Sequence, residues 1–359
     1  LTKRLLAVPF LHAPANIFNE KYLPSITPLM SISFTISLCW FFVVGNCESF
    51  HKRFIQFLCI AIIFLLCTNN RYAFHSMYIN GHLYFAVCLT TISVCIWLLA
   101  NSRVQLKRVF IGLMSISTPA MVVTRPEGFL FALLAIIPFL FSSSVEKLDK
   151  SLVLVFFGIS CSLWFGYVAM ASIARGLDIL FQTLGPLAVG VTALGVWPLF
   201  MWPGICKYSG IAIWTTELFL WAILIGMAFL SPDILFDSVV ATIENVVLGA
   251  GSWGYSLVLL VFIIAFVLIF SRESSLTPLR FPITTSLPLF FILAYLRGGA
   301  YRVGNGDSLN RMLIQVVPLM VFFIASAAIS KNWTCPTWIS CIFRLLGSHR
   351  NAARQALSK

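Results

Sequence analysis

Long apolar stretches run through this chain from end to end, separated by short loops whose charges alternate in kind. Only 10% of its 359 residues are charged and 60% are hydrophobic, whereas a soluble domain carries about 25% charged residues. An apolar run of roughly 18 or more residues reads as a membrane span. In hydrocarbon every backbone N–H and C=O must be satisfied within its own segment, so such spans are helical. A transmembrane β-barrel needs short alternating segments, and these runs do not alternate. The expected fold is all-α, a polytopic transmembrane helical bundle.

Eleven spans are expected, near 26–44, 54–70, 83–100, 109–123, 129–141, 152–173, 185–205, 211–230, 255–271, 281–296 and 311–329. The pair flanking Arg125 is short and reads as broken or re-entrant helices. Loops on one face hold Lys52, Arg53, Arg103, Lys107, Arg108, Lys147, Lys150, Lys207, Arg272 and Arg280, and a tail adds Lys331, Arg344, Arg350, Arg354 and Lys359. That face carries 15 of the 24 basic residues against four acids, and the other carries nine against seven. The basic face is therefore cytoplasmic, which puts the N-terminus outside and the C-terminus inside. Residues 1–329 form the transmembrane domain, and 330–359 a short basic cytoplasmic tail against the anionic inner leaflet. The external segment 231–254 spaces Ile234, Leu235, Val239, Val240, Ile243 and Val247 as an amphipathic helix on the membrane surface.

Several function classes fall away. The net charge of +12 belongs to cytoplasmic loops, so nucleic acid is not an expected partner. Most of the ten cysteines lie inside apolar runs and behave as small hydrophobes. Cys335 and Cys341 lack a second pair for zinc, so no metal site is read, and a divalent ion such as Mg or Mn stays open as a cofactor. No phosphate-loop, zinc-protease or serine-hydrolase pattern is present.

Candidate chemistry gathers on the outer face. Arg125-Pro126-Glu127-Gly128 joins two short spans. It reads either as a turn with helix-capping charges or as an Arg set beside a lipid phosphate, which its planar fork suits. Between Tyr295 and Arg311 stand Arg297, Arg302, Asp307 and Arg311. Three external Arg residues oppose the positive-inside bias. Snorkelling, an Asp307–Arg311 pair and an Asp307 cap would explain them structurally. Arg302 and Arg311 are the first candidates for binding phosphate, then Arg125 and Arg297. Glu127, Asp307, Arg71, His75 and Tyr78 are candidates for sugar or acceptor contact, the last three from an external loop rich in hydrogen-bonding and stacking groups. Glu217 is an intramembrane acid, either functional or neutral and hydrogen-bonded between helices.

In order, the external stretch Asn16 to Leu29, the segment Ile79-Asn80-Gly81-His82-Leu83-Tyr84-Phe85, Thr124-Arg125-Pro126-Glu127-Gly128, and Gly306-Asp307-Ser308-Leu309-Asn310-Arg311 running into a span with Pro318 resemble the GT-C glycosyltransferases. The likeness is nearest to their bacterial arabinofuranosyltransferase- and mannosyltransferase-like branch. The resemblance implies a fold of eleven or more helices in the bacterial inner membrane, with an extracytoplasmic active site. It implies a hexosyl- or pentosyltransferase using a polyprenyl-phosphate-linked sugar donor, an inverting transfer to an external glycan, lipid or protein acceptor, and membrane lipids as partners. It also implies an acidic pair in the first external loop as general base. The opening stretch offers only Glu20, so a further span and acidic loop are expected ahead of Leu1. Two alternatives stand beside this: a transporter or flippase of lipid-linked saccharides, and a non-catalytic homologue.

Overall fold

The computed structural model describes residues 26–44, 60, 71–73, 81–101, 107–174, 180–270, 274–304 and 307–329. The opening stretch with Glu20, the expected span 54–70 apart from residue 60, His75, Tyr78 and the basic tail lie outside the described residues. Among the described residues there is no strand. The helices are α1 (Ile26–Val44), α2 (Gly81–Asn101), α3 (Lys107–Thr124), α4 (Gly128–Leu140), α5 (Lys147–Ala174), α6 (Leu180–Val196), α7 (Ser209–Leu230), α8 (Pro232–Val246), α9 (Gly254–Phe270), α10 (Thr277–Leu296), α11 (Ser308–Leu313) and α12 (Val317–Ile329).

Among the described residues four helical stretches are long and apolar enough to cross a membrane: Gly81–Ala100, Lys147–Ala174, Gly204–Leu230 and Ser274–Leu296. The 28 residues of α5 reach about 42 Å at 1.5 Å per residue. The 13 residues of α4 reach only about 20 Å, short of a roughly 30 Å hydrocarbon core.

Proline accounts for two departures from the expected spans. The stretch 185–205 is not one helix: α6 ends at Val196 and short 3-10 turns follow at Trp197–Met201 and Pro203–Tyr208. Pro198 and Pro203 lack the N–H that an α-helix needs, and their rings crowd the preceding turn. The stretch 311–329 breaks into α11 and α12, with a turn at residues 314–316. Pro318 cannot donate to the carbonyl of Ile314, so the helix restarts just ahead of it.

Helices α2, α4 and α10 form the centre. Phe131 of α4 meets Phe85 of α2 edge-to-face at 5.2 Å and Phe290 of α10 at 5.7 Å. In the most apolar stretch of α10, 67% of residues are buried, against 17% in that of α7, so α7 is peripheral. Gly128 permits the closest crossing: a Cβ there would stand 1.9 Å from the Met121 carbonyl oxygen. Gly190 does the same between α5 and α6, where a Cβ would lie 2.6 Å from that of Cys161.

Polar contacts collect at the helix ends. Near the starts of α3 and α5, Lys107 bridges Glu146 at 2.6 Å and Asp149 at 2.9 Å. Beside them the buried amine of Lys150 donates to Cys206 Sγ at 3.2 Å. Glu217 is engaged between helices, accepting from Thr284 and pairing with Arg280 at 3.0 Å.

Candidate functional site

The segment from Tyr295 to Arg311 is a loop pinned by its own polar groups. Asp307 is the N-cap of α11, and its Oδ2 accepts from the N–H groups of Leu309 and Asn310 at 2.8 and 3.3 Å. Its Oδ1 reaches back to the N–H of Arg302 at 3.0 Å. One buried carboxylate thus closes both the helix start and the loop before it. The side-chain pair with Arg311 does not form. Arg311 Nε donates instead to the backbone carbonyl of Asp307 at 3.3 Å.

Helix α8 clamps the same loop from outside. Asn245 Nδ2 donates to the Arg302 carbonyl at 2.9 Å, and Asn245 Oδ1 accepts from the Gly304 N–H at 2.7 Å. Ser238 Oγ accepts from the Tyr301 N–H at 3.1 Å. Asn310 Nδ2 donates to the Gly304 carbonyl at 3.1 Å. Gly304 sits at φ +107°, a conformation that favours glycine. The Tyr301 hydroxyl donates to the Phe290 carbonyl. Its pKa is pushed up, chiefly by burial, with Arg297 opposing the rise.

These bonds leave the arginine side chains around an open cavity of about 580 Å³, lined by Arg297, Gly298, Gly299, Ala300, Tyr301, Arg302, Val303, Asp307, Ser308 and Arg311. Arg297 and Arg302 are exposed and Arg311 is half-buried. Arg71 belongs to the same neighbourhood: burial, then the positive charge of Arg311, lowers its pKa, and Asp307 opposes them. Such a ring suits an anion with several acceptor oxygens.

The Arg125–Gly128 segment forms a tight turn, closed by the Gly128 N–H donating to the Arg125 carbonyl at 2.9 Å. Pro126 holds its second position and Glu127 its third, with φ −74° and ψ −9°, close to type I geometry. Arg125 Nε pairs with Glu127 Oε1, and Arg125 Nη1 stands 2.9 Å from His82 Nε2. An arginine is always a donor, so His82 Nε2 accepts and the ring proton lies on Nδ1. That nitrogen faces the Gln315 carboxamide at 3.2 Å, which must then present its oxygen.

Of the residues expected from sequence, Arg297, Arg302, Asp307 and Arg311 line one cavity, and Arg71 adjoins it. Arg125 does not line it, because its guanidinium is committed to Glu127 and His82. Glu127 stays near enough to act on Tyr301 electrostatically. Asn245, Ser238, Tyr301 and Gln315 were not expected. Asn245 and Ser238 carried a faint signal, as uncharged polar residues at i and i+7 in an amphipathic helix. Among the described residues no three His, Cys, Asp or Glu side chains gather to hold a metal, and a cavity lined by three arginines and a single carboxylate does not suit a divalent cation. The chain matches no protein-family model, no curated protein and no solved structure.

Proposed function

We propose that this protein is an integral membrane glycosyltransferase of the GT-C kind. It holds the phosphate of a polyprenyl-linked sugar among Arg297, Arg302 and Arg311 and passes the sugar, with inversion, to an extracytoplasmic acceptor. The observation that carries the reading is that three arginine residues line one cavity, on the face where arginine should be scarce. In the transfer the bond from the anomeric carbon to the phosphate oxygen breaks as the acceptor oxygen bonds to that carbon. The departing lipid phosphate gains negative charge, and fixed cations aimed at it lower the barrier. Asp307 and Glu127 are engaged in the cap and in the Arg125 pair, so neither is assigned the acceptor's proton. The resemblance gives that task to an acidic first external loop.

The contacts at the two ends support the sidedness read from charge. Lys107, Glu146 and Asp149 come from loops assigned to the cytoplasmic face and meet one another. His82, Arg125, Asn245 and Arg302 come from segments assigned to the outer face, and contacts link them in two groups, one of which also takes in Gln315 near the start of the expected span 311–329. The eleven-span arrangement and residence in a bacterial inner membrane belong to the same proposal.

The test uses the full chain in proteoliposomes with a panel of polyprenyl-phosphate-linked sugars and an external acceptor. Transfer is expected for one donor, with loss in Arg302→Ala and Arg311→Ala variants that still insert. Full transfer in both variants would remove the site. Donor movement without a new glycosidic bond would favour a flippase, and donor binding with neither would favour a non-catalytic homologue.

A further inference from the structure

We propose that α8 is an interfacial strut: its outer face lies in the acyl boundary of the outer leaflet, and its inner face holds the Arg302 loop at headgroup level. The helix is built inside out. Phe236, Val239, Val240, Ile243 and Val247 fall at i, i+3, i+4, i+7 and i+11, and are exposed by between 36% and 69%. Ser238, Ala241 and Asn245, at i, i+3 and i+7, form the buried face. A soluble amphipathic helix turns its apolar stripe to the core. Here five apolar residues face outward, while Ser238, Ala241 and Asn245 face the protein, with Ile234, Leu235 and Val246 packed partly against the core beside them.

Hydrocarbon is the occupant that fits that stripe. In the chain the stripe is flanked by the exposed Phe229 and Leu230 at the end of α7 and by the exposed Tyr255 at the start of α9, and both helices are strongly apolar. Asp233, Asp237 and Glu244 lie together along one edge of the helix, between the outward stripe and the buried face. Acids in that strip suit the water side of a membrane boundary. On the inner side Asn245 grips the loop on both sides of Val303, and Ser238 holds the Tyr301 N–H. Asn245 is thus a positioning residue for Arg302.

Neither half of the proposal requires sugar transfer, so both can be tested without a donor. The full chain is placed in phosphatidylcholine nanodiscs with Val240 replaced by p-benzoylphenylalanine and irradiated. A phosphatidylcholine adduct is expected. An adduct to a second copy of the chain, or no lipid adduct, would overturn the outer-face assignment. Hydrogen exchange reads the inner face. Asn245→Leu should speed exchange of the Gly304 amide, and Ser238→Ala that of Tyr301, each about tenfold for one lost net hydrogen bond. Amides in the middle of α2 should not change. Asn245→Asp keeps the acceptor for Gly304 and should restore slow exchange there. If Asn245→Leu loosens every helix, the Ser238→Ala and Asn245→Asp results decide. Unchanged exchange at Tyr301 in Ser238→Ala, or fast exchange at Gly304 in Asn245→Asp, would overturn the strut.

Discussion

Replacing Asp307 with Asn separates this structure from a reading of helix ends alone. By capping preference Asn and Asp are near equals, so a helix-end argument expects almost no change. The geometry says otherwise. The two carboxylate oxygens of Asp307 serve three backbone N–H groups, those of Arg302, Leu309 and Asn310. Asn has one oxygen, and its amide nitrogen must face a donor either in the loop or at the cap. A buried N–H left without its acceptor costs about 1–3 kcal/mol. The change also removes the negative charge that opposes Arg311 in acting on Arg71, which adds to the loss. The total expected for Asp307→Asn is about 2 kcal/mol, and Asp307→Ala should cost more because it loses all three bonds. Cys95 and Cys161 are buried thiols, so a maleimide dye read during a thermal ramp in detergent reports unfolding. Asp307→Asn should lower the midpoint by a few degrees. A midpoint equal to that of the unaltered protein would refute the three-donor account, as would Asp307→Ala melting no lower than Asp307→Asn.

Gly128→Ala should destabilise the chain by about 3 kcal/mol or more in the same thermal assay, because its methyl group would meet backbone rather than a movable side chain. Lys150→Met should be neutral or stabilising, since the buried amine donates to a thiol and an apolar replacement of similar length escapes desolvation. The Lys107 cluster predicts a shallow pH dependence at both extremes. Glu146 is held below its ordinary value by Lys107, so its contribution is present above about pH 4.5 and fades as the pH falls through the folded value. Lys107 is held above its ordinary value by Glu146 and then Asp149, so its contribution is present below about pH 10.5 and fades as the pH rises through the folded value. Lys107→Met should flatten both limbs of a thermal-midpoint profile, by little, because the cluster is exposed.

The sequence made the helical class and the arginine cluster legible for a common reason. Both are local or compositional: apolar runs mark helices in hydrocarbon, and an Arg in a loop read as external stands out against the charge bias. Asp307 was visible as a cap because Gly306-Asp307-Ser308 sits just ahead of an apolar run. Its second bond, back to Arg302, was not visible, because cap signals carry no information on what the other oxygen meets. Asn245 and His82 were harder still. Asn245 holds a loop 57 residues away, and His82 meets Gln315 at a separation of 233 residues. Such pairings follow from tertiary packing, which leaves no periodicity to detect. The two helix breaks within expected spans had a readable cause in Pro198, Pro203 and Pro318, residues that a hydropathy window passes over. For α8 the apolar spacing was legible, but the inward turn of Ser238 and Asn245 depends on what the loop presents to them.

The most direct test of the central claim is a cryo-EM map of the full chain in a nanodisc containing a polyprenyl phosphate. The account predicts phosphate density within hydrogen-bond reach of Arg311 and Arg302, in the cavity that Arg297 and Ser308 also line. Phosphate density beside Arg125, or none in that cavity with the lipid bound elsewhere, would contradict it.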